Sequence, residues 1–220
     1  MEIVVDDISK AIHGAQILKN ISMEMVSGKI YGLQGQNGSG KTMLMRALAG
    51  LIYCDSGKIT VDGKVLGKDI SFPESIGILI ENPGFIAGET GYMNLKYLAM
   101  IRNRIDDQRI YETLQDVGLN PADKRKYRKY SLGMKQRLGI AAALMEDPDL
   151  LILDEPTNAL DEDGVILLKE LLAREKEKNK LMIISCHDKD ILRQLSDEIY
   201  VLRRGSVEEH YIPERGETEA

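Results

Sequence analysis

Eight consecutive residues, Gly35-Gln36-Asn37-Gly38-Ser39-Gly40-Lys41-Thr42, fit the spacing G-x-x-x-x-G-K-[ST]. Each residue type in that order suits a phosphate. Glycines let the backbone turn tightly enough for its N–H groups to converge on anionic oxygens. Lys41 brings positive charge toward the outer phosphates, and the Thr42 hydroxyl is a hard oxygen placed for Mg²⁺. A glycine-rich turn that binds nothing has no use for Lys41 and Thr42 there.

A second group is Asp154-Glu155, which follows the apolar run Leu150-Leu151-Ile152-Leu153. Four buried residues would carry Asp154 to the C-terminal end of a strand, where ligands of open α/β sheets collect. Asp154 would hold Mg²⁺ through its water shell, and Glu155 would polarise water for attack on a γ-phosphate. Two adjacent acids can also merely begin a helix, but beside a phosphate loop that reading loses. Together the two groups specify an ATPase or a GTPase without saying which kind.

The elements that must position these residues can be read from the apolar pattern. Strands are expected at residues 2–6, 29–33, 57–62, 76–80, 150–153, 181–185 and 199–202. An alternating stretch places Ile17, Ile21, Met23 and Met25 on one face. Leu44, Leu48 and Leu51 have helical spacing after the phosphate loop. Residues 92–145 show only helical patterns, such as Tyr92-Leu95-Leu98-Ala99 and Ile110-Leu114-Val117. Helices are expected again at roughly 164–178 and 188–196. Strand and helix alternating around buried apolar strands imply a parallel sheet covered on both faces, with a helical insert. The tail after Pro213 is polar and expected to fray.

Composition limits the rest. The 220 residues carry a net charge of −6, which argues against a nucleic-acid partner. The basic run Lys124-Arg125-Lys126 with Arg128 and Lys129 reads as a solvated face or loop. Two cysteines in unrelated contexts, Cys54 and Cys186, suggest neither a metal site nor a disulfide framework; Cys186 reads as a buried small residue. No run approaches the ~20 apolar residues of a membrane helix, so a cytoplasmic protein without direct membrane insertion is expected.

A third motif decides the kind of nucleotide chemistry. Tyr130-Ser131-Leu132-Gly133-Met134-Lys135-Gln136-Arg137 resembles the signature sequence of ABC ATPases, with Leu132 for the first glycine and Met134 for the glutamine. Ser131 can cap a helix whose free N–H groups face a phosphate. Pro156-Thr157-Asn158-Ala159-Leu160-Asp161 resembles the family's D-loop. His187 matches its switch histidine, and His13 stands where an aromatic residue usually stacks on adenine. Ile76 to Phe85 occupies the Q-loop, with Glu81 at the glutamine position, a combination similar to bacterial exporters of the bacitracin- and lantibiotic-resistance type.

The resemblance covers residues 2 to about 210 and implies one ABC ATPase domain over residues 1–220. Its fold would be a RecA-like P-loop NTPase core with a mainly parallel sheet, an N-terminal antiparallel β subdomain and a helical insert at roughly 86–145. The implied catalytic residues are Glu155 and His187. ATP would be held by His13, by Gly35 to Thr42, and by Ser131 and Gly133 of a second copy; Thr42, Asp154 and Glu81 would serve Mg²⁺. The implied partners are a second copy of the chain, joined head to tail by ATP, and a separate transmembrane permease that places the protein at the inner face of the membrane. A nucleotide-binding regulatory module with little hydrolysis is the alternative.

Overall fold

A computed structural model describes residues 1–81 and 83–214. The expectation of a frayed tail therefore falls largely outside the described residues, as does Asn82 of the Q-loop.

Two sheets form the molecule. The strands of the first are β1 (Glu2–Ile12), β2 (Ala15–Val26), β4 (Ser56–Val61) and the short β5 (Lys64–Val65), antiparallel in the order β2-β1-β4-β5. The second contains β3 (Lys29–Gln34), β6 (Ile76–Leu79), β7 (Leu150–Leu153), β8 (Leu181–Ser185), β9 (Glu198–Arg203) and β10 (Ser206–Tyr211). Its order is β10-β9-β3-β8-β7-β6, parallel except for β10.

The inner parallel strands β7 and β8 are buried along their whole length because both faces are covered. Leu151 and Leu153 face one cluster with Met182, Ile184, Leu138 and Leu168. Leu150 and Ile152 face the other, with Ile183, Leu44, Leu48 and the inner side of the antiparallel sheet. Each such side chain is worth ~1.5–3 kcal/mol when fully buried. This burial fixes where β7 ends, and hence where Asp154 and Glu155 begin.

Helix α1 (Lys41–Leu48) follows the phosphate loop. All helices between it and β7 lie within residues 91–144: α2 (Gly91–Arg102), α3 (Asp107–Asp116), a single 3-10 turn (Tyr127–Lys129) and α4 (Leu132–Leu144). After β7 come α5 (Glu162–Glu177) and α6 (Lys189–Leu195). Side-chain caps set several starts: Thr90 accepts from Met93 N at 3.2 Å, Ser131 from Met134 N at 3.2 Å and Asp161 from Gly164 N at 3.0 Å.

Three local readings change. Leu18, not Ile17, is buried in β2, because irregular pairing between Ile8↔Ile21 and Lys10↔Leu18 reverses the alternation beside Asn20 at φ 46°. Leu51 lies beyond α1 and is exposed, and Leu98 is partly exposed on α2. Strand β10 has no alternating apolar signal, since its sequence SVEEHY carries two adjacent glutamates and a histidine, yet it pairs along β9. Most of the basic run 124–129 is exposed and ends in the 3-10 turn. No helix among the described residues is long and apolar enough to cross a membrane.

Candidate nucleotide site

The phosphate loop leaves β3 and enters α1, and packing fixes its path. At Gly35 a Cβ would stand 2.4 Å from Ser39 Oγ and 2.5 Å from the Leu202 carbonyl, so only glycine fits. Gly40, at φ 108°, has a backbone that a side chain would strain. Lys41 is buried, and its ammonium donates to the Gly35 carbonyl at 2.7 Å and more weakly toward Gln36 O at 3.5 Å. The cation is thus held at the centre of the loop by neutral acceptors, which a phosphate would outcompete. Ser39 Oγ is buried without a partner, an orphaned polar group facing a loop built for anions.

Asp154 sits against this loop. The Thr42 hydroxyl donates to Asp154 Oδ2 at 2.6 Å, and the buried Ser185 hydroxyl donates to Asp154 Oδ1 at 2.6 Å. The β7–β8 register, Leu153↔Ile184, brings Ser185 there. Thr42 and Asp154 offer two hard oxygens side by side, the chemistry Mg²⁺ requires. No cluster of three or more His, Cys, Asp or Glu residues suits a metal among the described residues. Mg²⁺ takes few protein ligands and completes its shell with water and phosphate, so two such oxygens are what this chain would supply.

Glu155 is held on every side. Its φ of 52° is a left-handed conformation, costing about 1–3 kcal/mol in a non-glycine residue. Its N–H donates to Ser185 Oγ at 2.9 Å, and its carbonyl accepts from Gln136 Nε2 at 3.0 Å. The carboxylate Oε2 accepts from the His187 N–H at 2.8 Å. Oε1 is buried with no hydrogen bond, 3.5 Å from His187 Nε2. Burial raises the carboxyl above its ordinary value, while the charges of His187 and Lys41 and the His187 N–H pull the other way. A partly desolvated carboxylate with one free oxygen is suited to accept a proton.

A cleft of about 810 Å³ opens beside the loop, lined by residues 34–39, Cys186, His187 and the basic side chains Lys189, Arg203 and Arg204. The lining also includes one acid, Glu208, which pairs with Arg203 at 3.3 Å, so the excess charge beside the loop is positive, as a polyphosphate requires.

The structure thus brings together Gly35 to Thr42, Asp154, Glu155 and His187. Four other expected site residues stand apart. His13 and Gly14 form the exposed two-residue turn of the β1–β2 hairpin, both at positive φ, and His13 does not line the cleft. Ser131 is exposed, its hydroxyl engaged with its own helix, and Gly133 packs on the Ala159 carbonyl, where a Cβ would stand 2.7 Å away. Glu81, at φ 59° and largely exposed, pairs with Arg46 Nη2 at 2.8 Å. Arg46 is four residues beyond Thr42 and shares its face of α1, so the ion pair ties Glu81 to the helix that begins at the phosphate loop.

Sequence reasoning missed Ser185, Gln136 and Arg46 as parts of this arrangement. Ser185 had a readable signal: a lone hydroxyl ending an apolar strand two residues before His187.

Comparison with known proteins agrees with the geometry. A family model described as ABC transporter matches residues 18–158. An uncharacterised ABC transporter ATP-binding protein of Bacillus subtilis is 45% identical over 92% of this chain and 93% of its own. A bacitracin transport ATP-binding protein of Enterococcus faecalis is 38% identical over 95% of this chain and 69% of its own. A lantibiotic transport ATP-binding protein of Streptococcus pyogenes is 36% identical, covering 92% and 87%. The fold matches that of a solved ATP-binding subunit of an ABC transporter, with TM-score 0.86, 24% identity and coverage of 96% and 90%. It also matches a dimeric ATP-binding cassette in a post-hydrolysis state with ADP and phosphate, with TM-score 0.83, 23% identity and coverage of 96% and 98%. Loop, acid pair, sheet order and relatives agree, and the chain belongs to the ABC transporter family, among its ATP-binding proteins.

Proposed function

We propose that this ATPase powers export through a separate transmembrane permease, by pairing head to tail with a second copy around two ATP molecules and then hydrolysing them. The observation that carries the catalytic part is the bonded set Thr42–Asp154–Ser185–Glu155 at the mouth of the phosphate loop. Lys41 and the loop N–H groups would hold the phosphates, and Glu155 would take a proton from water through its free oxygen. His187 is exposed beside Glu155, on the open side where a γ-phosphate would lie. Bound Mg²⁺ would neutralise phosphate charge, held by Thr42 and Asp154, with Glu81 reaching it once released from Arg46.

Pairing is supported by the residues that stand apart. Ser131 is an exposed cap at the start of α4, its hydroxyl accepting from Met134 N, and among the described residues nothing in its own copy brings the phosphate loop to it. A second copy facing it would. Export, a permease partner and a place at the inner membrane face rest on the relatives that act in bacitracin and lantibiotic transport.

Replacing Glu155 with Gln tests the catalytic reading. The amide keeps the shape but cannot take the proton, so ATP turnover should fall roughly 10²-fold or more while ATP binding persists. Turnover at the wild-type rate would remove Glu155 from the mechanism.

A further inference from the structure

Glu155 occupies a strained backbone conformation, so its carboxylate points where three hydrogen bonds make it point. Two of them come from the sheet side, through Ser185 at the end of β8 and the His187 N–H that follows it. The third comes from elsewhere: Gln136 of α4 donates to the Glu155 carbonyl at 3.0 Å, which also accepts from Asn158 N at 3.1 Å.

Helix α4 grips the same segment at two more points. Gly133 closes on the Ala159 carbonyl, and Arg137 pairs with Asp161 at 2.9 Å while its other nitrogen donates to Val117 O at 3.2 Å. Residues 133, 136 and 137 thus meet residues 159, 155 and 161, and the first turns of α4 and the segment 155–161 are joined along their length. Ser131 begins the same helix, two residues before Gly133. Gln136 is the α4 residue bonded directly to the Glu155 carbonyl, so it is the shortest route by which a displacement at Ser131 would reach it.

We propose that Gln136 is a positioning residue for Glu155, tying the water-polarising carboxylate of one site to the helix that contacts the nucleotide of the other. The inference rests on the reading of Glu155 and Ser131 given above. In a head-to-tail pair, Ser131 and Glu155 of one copy serve different ATP molecules. Gln136 is then the link by which occupancy of one site sets the geometry of the base in the other. The effect is one of orientation: removing the donor leaves phosphate contacts intact and lets Glu155 relax.

The variant Gln136→Met keeps length and removes the donor. Its kcat should fall roughly ten- to hundredfold, the size expected for a misplaced catalytic group, with KM for ATP unchanged. In the Glu155→Gln background it should still pair with ATP, as read by light scattering. Gln136→Lys restores a donor of similar reach and should recover part of the rate. A Met variant with wild-type kcat overturns the proposal. So does one that loses ATP-driven pairing along with its rate, or a Lys variant no faster than Met, since either marks Gln136 as a general support of α4. If Glu155→Gln itself hydrolyses ATP normally, it is the assignment of the base that fails, and the Gln136 variants need not be made to learn it.

Discussion

Thr42 Oγ1 lies 2.6 Å from Asp154 Oδ2, joining the first residues of α1 to the end of β7 across 112 positions of sequence. The hydroxyl donates to the carboxylate here, although both are oxygens of the kind that bind Mg²⁺. One hydrogen bond thus keeps side by side the two oxygens that would hold Mg²⁺ on the proposed reading.

Asp154→Asn should separate metal binding from nucleotide binding. The amide is a weaker ligand and no longer anionic, so the gain in ATP affinity on adding Mg²⁺ should shrink, while affinity measured in EDTA stays at the wild-type value. Titrating a fluorescent ATP analogue with and without Mg²⁺ reads both. Undiminished Mg²⁺ enhancement would place the metal elsewhere.

Glu81 is held by Arg46 in an exposed ion pair of the kind worth only ~0–1 kcal/mol. So weak a contact can yield to a divalent cation. On the proposed reading Glu81→Gln would remove an anionic ligand, and the Mg²⁺ concentration for half-maximal ATPase activity should rise. A titration superimposable on wild type, in midpoint and maximum, would show that Glu81 never reaches the ion.

Far from the nucleotide, at the opposite ends of the strands, Lys180 is buried and pairs with Glu175 and with Asp147. Lys178 also reaches Glu175 at 2.8 Å. Lys180→Met leaves Glu175, almost wholly buried, with only the half-exposed Lys178. Breaking a buried pair from one side costs ~3–5 kcal/mol, and the remaining partner reduces this to about 2–3 kcal/mol. Urea unfolding should show that loss, with ATP turnover unchanged at low temperature. A midpoint equal to wild type would mean the network contributes nothing.

The sequence was most legible where one residue type has one use. Gly35 to Thr42 and the strand before Asp154 could be placed because an apolar run of four and a glycine-lysine-threonine order have few other meanings. The sheet and helical segment followed from periodicity. Less legible were features that depend on register. The bulge at Asn20 moved burial from Ile17 to Leu18, and β10 pairs through its backbone with charged side chains outward. The supports of Glu155 were also hidden: Gln136 lies 19 positions away and Ser185 lies 30 away, and only the packing of α4 and β8 on β7 joins them.

Light scattering of the Glu155→Gln variant tests the account most directly. Without nucleotide, the exposed Ser131 has no phosphate to face and the chain should scatter as a monomer. With ATP the mass should double, because each nucleotide would touch both copies and hydrolysis cannot release them. ADP, lacking the γ-phosphate, should leave the monomer. Ser131→Arg, which places bulk and charge at the second contact, should abolish the doubling. A mass that does not respond to ATP, or a doubling that survives Ser131→Arg, contradicts head-to-tail pairing.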